Sequence, residues 1–163
     1  MQKIIIQDLS LSISFFDETR RTIEEPEAHL FPSAQNALTD LLVMTYNRTG
    51  SHFFLTTHSP YFLSSFNNLL YAAKAAGDNL PPEATPDPTR VRRVEALGYA
   101  PYLRLKAQDF AAYQLKDGTA ESIYDAEKAI TNIDELDEVS LEITQKFAEL
   151  VDIVKENEAY ENA

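Results

Sequence analysis

Ile23-Glu24-Glu25-Pro26-Glu27-Ala28-His29-Leu30-Phe31-Pro32 is the stretch on which the reading of this chain turns. Ile23 closes a polar run, two carboxylates follow it directly, and Pro26 marks a turn. Pro32 stands where a helix takes its first residue. The order predicts a strand ending in Glu24 and Glu25, then a turn, then a helix. Neighbouring side chains on a strand point to opposite sides, but at a strand end, where the chain turns, two adjacent acids can reach one cleft.

Working outward, Ala34, Ala37, Leu38, Leu41 and Leu42 recur at helical spacing, and Gly50 supplies a left-handed cap after Asn47-Arg48-Thr49. His52-Phe53-Phe54-Leu55-Thr56-Thr57 reads as a short buried strand. His58-Ser59-Pro60 turns out of it into a short helix through Phe66, and Leu69 to Ala75 reads as a further strand. On the N-terminal side, residues 1–17 read as one or two strands, with Ile4-Ile5-Ile6 β-branched and Leu9, Leu11 and Ile13 alternating with serines. Downstream, 76–90 is a proline-rich loop. Within 91–127, Val91 to Ala96 and Tyr102 to Lys106 read as short strands, and Phe110 to Tyr124 as a hairpin on the Asp117-Gly118 turn. An amphipathic helix occupies 134–158, with Ile143, Phe147, Leu150, Val151 and Val154 on its apolar stripe. The fold class expected is α/β in one domain: a mostly parallel sheet flanked by helices, with an antiparallel β region.

Composition narrows the function classes. At 163 residues the chain is long enough for a core of its own. It has no cysteine, so disulfides and thiolate metal sites are excluded, which fits a cytoplasmic location. The N-terminal Ile4-Ile5-Ile6 is interrupted by Gln7 and Asp8 too soon for a signal peptide or a membrane span. The formal net charge of −12 opposes binding to nucleic acid and to anionic lipid. Arg90, Arg92 and Arg93 form the one basic knot, and it is small for a nucleic-acid patch.

Two groups can carry chemistry. Glu24 and Glu25 together offer an acid for a metal, held through a water, and an acid that orients or polarises an attacking water. His58 closes an apolar strand and is expected at the same sheet edge, where ligands of open α/β sheets bind; its imidazole can donate to a phosphate oxygen. His52 opens the strand and His29 lies in the turn, so both weigh less. No zinc-ligand spacing is present.

Taken together, Ile-Glu-Glu-Pro-Glu-Ala-His-Leu-x-Pro, a helix, and Phe-Phe-Leu-Thr-Thr-His-Ser-Pro resemble the second half of the ABC-type ATPase domain, closest to the SMC-like and OLD-type branch of AAA-labelled ATPases. The resemblance covers roughly residues 22–155 and implies ATP and Mg²⁺ as ligands. It implies a Walker B role for the acidic pair, with Glu24 on the Mg²⁺ side through a water and Glu25 as the catalytic carboxylate. His58 would be the switch histidine that senses the γ-phosphate, and Pro26 to Pro32 a loop that packs across a dimer.

Other features depart from that family. A Walker A loop needs Gly-x-x-x-x-Gly-Lys and then Ser or Thr, because glycines let backbone N–H groups wrap the phosphates. The only glycines here are Gly50, Gly77, Gly98 and Gly118, and none precedes a lysine. A Leu-Ser-Gly-Gly type signature is absent, Phe31 replaces a histidine, and Glu18 to Thr22 stand where apolar strand residues are usual. The expectation is a partial ATP-binding domain, inactive as an ATPase alone. The alternative is a half-site completed by a partner chain that supplies the P-loop. A metal-dependent nuclease using Glu24, Glu25 and the Asp134, Glu135, Asp137 and Glu138 acids is a weaker third reading. Exposed sheet edges predict self-association into a dimer or larger assembly, or pairing with a partner ATPase chain.

Overall fold

The computed structural model describes residues 3–7, as backbone, and 20–132. The C-terminal helix expected at 134–158 and the strand residues expected between 8 and 16 lie outside the described residues.

Strands β1 (Lys3–Gln7), β2 (Arg20–Glu24), β3 (His52–Thr57), β4 (Ala111–Lys116) and β5 (Thr119–Ser122) form one five-stranded sheet in the order β2-β3-β1-β4-β5. β2 and β3 are parallel, with Glu24 opposite Thr56. Their connection is helix α1 (Pro32–Thr49), as a parallel crossover requires. The other pairings are antiparallel: β1 with β3, β1 with β4, and β4 with β5. The fold is therefore α/β with a parallel pair and an antiparallel region, and the parallel portion is the β2-α1-β3 unit. A small second ladder joins β6 (Tyr124–Asp125) to β7 (Ile130–Thr131).

Local chemistry sets the element ends. Pro32 opens α1, and Gly50, at φ 65°, closes it with its N–H on the Tyr46 carbonyl. Helix α2 (Pro60–Ala76) begins on Ser59, whose Oγ accepts from the Phe62 N–H at 3.3 Å. It runs past Phe66 to Gly77, so the strand expected at Leu69 to Ala75 is instead the second half of this helix. Phe62, Leu63, Phe66, Leu69, Leu70, Ala73 and Ala76 share one helical face and are all buried. Asn67-Asn68 suggested a break between the two halves. The Asn67 amide is instead taken up by Thr131: it accepts from the Thr131 N–H and Oγ1, each at 2.7 Å, and donates to the Thr131 carbonyl at 3.2 Å. An asparagine committed elsewhere does not compete for its own helix backbone.

The strand expected at Val91 to Ala96 is also a helix, α3 (Pro88–Ala96). Asp87 caps it by accepting from the Thr89 N–H at 2.8 Å, Pro88 takes the first position, and Val94 packs on Ala72 and Ala76 of α2. Helical capping therefore overrides the short β-like spacing. Tyr102 to Lys106 is not a strand either: Pro101–Leu103 forms a single 3₁₀ turn and extended chain follows. The hairpin is as expected, with Asp117 (φ 51°) and Gly118 (φ 80°) between β4 and β5.

Candidate functional site

The β2-α1-β3 unit brings the two candidate segments to one place. Glu24 is the last residue of β2, exposed at its C-terminal end, and His58 directly follows β3. Because the strands are parallel, both ends lie at the same sheet edge.

Glu25 is where the backbone departs from the strand. Its φ is 45°, a left-handed conformation that costs a residue with a Cβ about 1 kcal/mol or more. The conformation is held from both sides. The Glu25 N–H donates to the Thr56 carbonyl at 2.8 Å and, more weakly, to the Thr56 Oγ1 at 3.3 Å, while the Glu25 carbonyl accepts from the Ala28 N–H at 2.9 Å. The turn aims the carboxylate across the edge: Oε1 lies 3.1 Å from Nε2 of His58. Both side chains are partly open to solvent, at 43% and 31% of their full exposure, so an incoming molecule can reach them.

Glu27 is the site residue that sequence reasoning missed. It sits two residues after Glu25 yet is only 5% exposed. Its Oε1 accepts from the Thr57 hydroxyl and from the His58 N–H, the latter at 3.3 Å. Its Oε2 is buried without a hydrogen-bond partner. Thr57 Oγ1 in turn accepts from the Ser59 N–H at 3.0 Å. The Ser59 hydroxyl donates to Oε1 of Gln35 at 2.6 Å, and Gln35 Nε2 donates to the Leu30 carbonyl at 3.0 Å. The acidic turn and the histidine turn are thus sewn together through buried polar groups. In the sequence, Glu-Glu-Pro-Glu looks evenly solvated. Only the packing of the turn against Thr57 distinguishes the third acid from the first two.

Replacing Glu27 separates its two oxygens. Glu27→Leu should lose about 2–4 kcal/mol of stability, because the Thr57 hydroxyl and the His58 N–H are left without an acceptor. Glu27→Gln keeps one carbonyl-type acceptor and should stay within about 1 kcal/mol of the parent. Urea midpoints at unchanged m-value measure both. Equal stability of the two variants would deny the clamp.

The remaining candidates fall away from this centre. His29, at φ 66°, and Phe31, 82% exposed, lie on the outer surface of the turn. His52 starts β3 at the opposite end of the strand, with its ring edge-on to Tyr46 at 6.4 Å between centroids. Asp134, Glu135, Asp137 and Glu138 lie outside the described residues. Among the described residues no group of three or more histidines and acids is arranged to hold a metal, and no helix is long and apolar enough to cross a membrane.

The arrangement matches one half of what ATP and Mg²⁺ need. A carboxylate beside an imidazole at the end of a parallel pair fits a water and a phosphate oxygen, and the exposed Glu24 fits an acid that reaches a cation through water. A phosphate cradle is not formed by the described residues: Gly50 and Gly77 cap helices, Gly98 follows α3 and Gly118 turns the hairpin. The phosphate side therefore does not fit.

Residues 17–63 match the family model described as AAA ATPase domain. The matched stretch runs from before β2 into the first turn of α2 and so contains Glu24, Glu25, Glu27 and His58. This segment is similar to an AAA-type, ATP-binding domain. No curated protein and no solved structure matches the chain.

Proposed function

We propose that this chain carries the water-activating half of an ATPase site of the ABC-like, OLD-type branch of AAA domains, and that it does not turn over ATP alone. The observation that carries the reading is the 3.1 Å approach of Glu25 to His58 at the end of a parallel strand pair, reached through a left-handed residue. Backbone strain retained at a partly open acid is a common mark of function. In this reading Glu25 polarises the water, His58 contacts the terminal phosphate, and Glu24 meets Mg²⁺ through a water. Phosphoryl transfer depends on positioning and on cancelling charge around the phosphates. A chain of net charge −12 without a glycine cradle supplies little of either to a triphosphate.

The test is titration of the pure chain with ATP and Mg²⁺ by calorimetry, with phosphate release followed in parallel. Expected are negligible heat and no release above background. Mg²⁺-dependent turnover by the pure chain, lost in Glu25→Gln, would overturn the inactive-alone reading. The second reading, a half-site completed by another chain, is favoured by the preformed Glu25–His58 pair. It requires ATP binding to appear on adding a chain that bears a Walker A loop, and fails if no such mixture binds.

A further inference from the structure

The outer edge of β2 is the surface in question. Among the described residues, β2 ends the sheet order and has a strand on one side only, whereas β3 is flanked by β2 and β1. An open edge with free N–H and C=O groups is a template for another strand. Which groups face outward follows from the inner side. The Glu25 N–H points inward to the Thr56 carbonyl, so by alternation Ile23 and Arg21 also face β3. Arg20, Thr22 and Glu24 therefore present their backbone groups to the open edge.

We propose that this edge pairs with the same edge of a second copy, antiparallel and centred on Thr22. The sequence Arg20-Arg21-Thr22-Ile23-Glu24 is complementary to itself when reversed. Thr22 meets its own equivalent across the two-fold axis, and Arg20 meets Glu24 of the other copy twice. In this register each outward N–H and C=O of Arg20, Thr22 and Glu24 faces its complement. The side chains of the same residues stand on one face, where opposite charges directly across a ladder stabilise it and like charges destabilise it. Moving the centre to Arg21 sets arginine against arginine. The other outer strand, β5, offers no such match, since Thr119-Ala120-Glu121-Ser122 reversed on itself pairs no charges. An isologous contact of this kind closes as a dimer and leaves no repeating edge. Because the chain is strongly acidic, the arginine-bearing edge is also where two copies repel least. The inference is independent of the ATPase reading.

Sedimentation velocity of the full chain over a wide concentration range should show a monomer–dimer equilibrium. Thr22→Pro removes the outward N–H at the axis without touching a β2–β3 bond, so it should abolish the dimer while the circular dichroism spectrum and melting temperature stay those of the parent. Arg20→Glu should weaken the dimer about tenfold, and the double change Arg20→Glu with Glu24→Arg should restore it by exchanging the partners of each pair. The chain has no cysteine, so a single thiol reports the register. Residues exchanging backbone bonds across an antiparallel ladder lie about 5.5 Å apart at Cα, within disulfide reach. Thr22→Cys should oxidise to a covalent dimer, and the exposed Tyr71→Cys should not. A chain that stays monomeric at high concentration, or a dimer that survives Thr22→Pro unchanged, would overturn the proposal. So would equal cross-linking of the two thiol variants.

Discussion

Phe62→Ala is expected to cost about 3–5 kcal/mol of folding stability. Phe62 is 0% exposed on the first turn of α2. Its ring stands edge-on to Phe66 at 5.2 Å, Phe66 packs on Phe110 at 5.6 Å, and Phe110 meets Tyr124 at 5.1 Å. Such aromatic contacts add to the burial they accompany. The row links α2 to β4 and β6, so truncating its first member leaves a cavity at the root of the helix and weakens the hold on the hairpin. The same position governs the site, because the Phe62 N–H donates to Ser59, one residue after His58. Thermal and urea unfolding should both report the loss. Tyr61→Ala, next in sequence but 60% exposed, should change stability by no more than about 0.5 kcal/mol. If the two variants unfolded alike, the core would not be where the burial places it.

Legibility in the sequence followed how local the determining forces are. The β2-α1-β3 unit was readable because each boundary has its own chemistry: Ile23 before the acids, Pro32 at a helix start, Gly50 at a helix end, and an apolar strand stopped by His58-Ser59-Pro60. The 117–118 turn was readable for the same reason. Leu69 to Ala75 and Val91 to Ala96 were misread as strands because short apolar runs do not distinguish the two periods. What settles them is long-range or positional: Thr131 occupying Asn67, and Asp87 capping a helix that packs on Ala72 and Ala76. The antiparallel entry of β1 beside β3 was likewise invisible, since strand direction is set by partners far along the chain. At the site, the residue types at positions 24, 25 and 58 stood out by spacing, whereas the buried state of Glu27 depends on Thr57, thirty residues away.

The clamp around Glu27 bears on how the Glu25–His58 pair should respond to change. Gln at position 25 preserves the shape of the side chain and an oxygen that can lie near His58 Nε2, but it removes the charge and the basicity needed to polarise a water. In a mixture where a Walker A-bearing chain restores turnover, Glu25→Gln should therefore lower turnover by about 10²–10⁴-fold. ATP affinity should change less than about threefold, since the ground-state contacts to the phosphates come from the other chain. His58→Ala should behave differently. It removes a donor to the terminal phosphate, so affinity and turnover should fall together. Single-turnover measurements beside equilibrium ATP binding separate the two patterns. A Glu25→Gln mixture that kept more than about a tenth of the parent rate would remove Glu25 from the chemistry. Its strained backbone would then be explained by the turn alone, with the 3.1 Å contact to His58 serving to hold the two loops together.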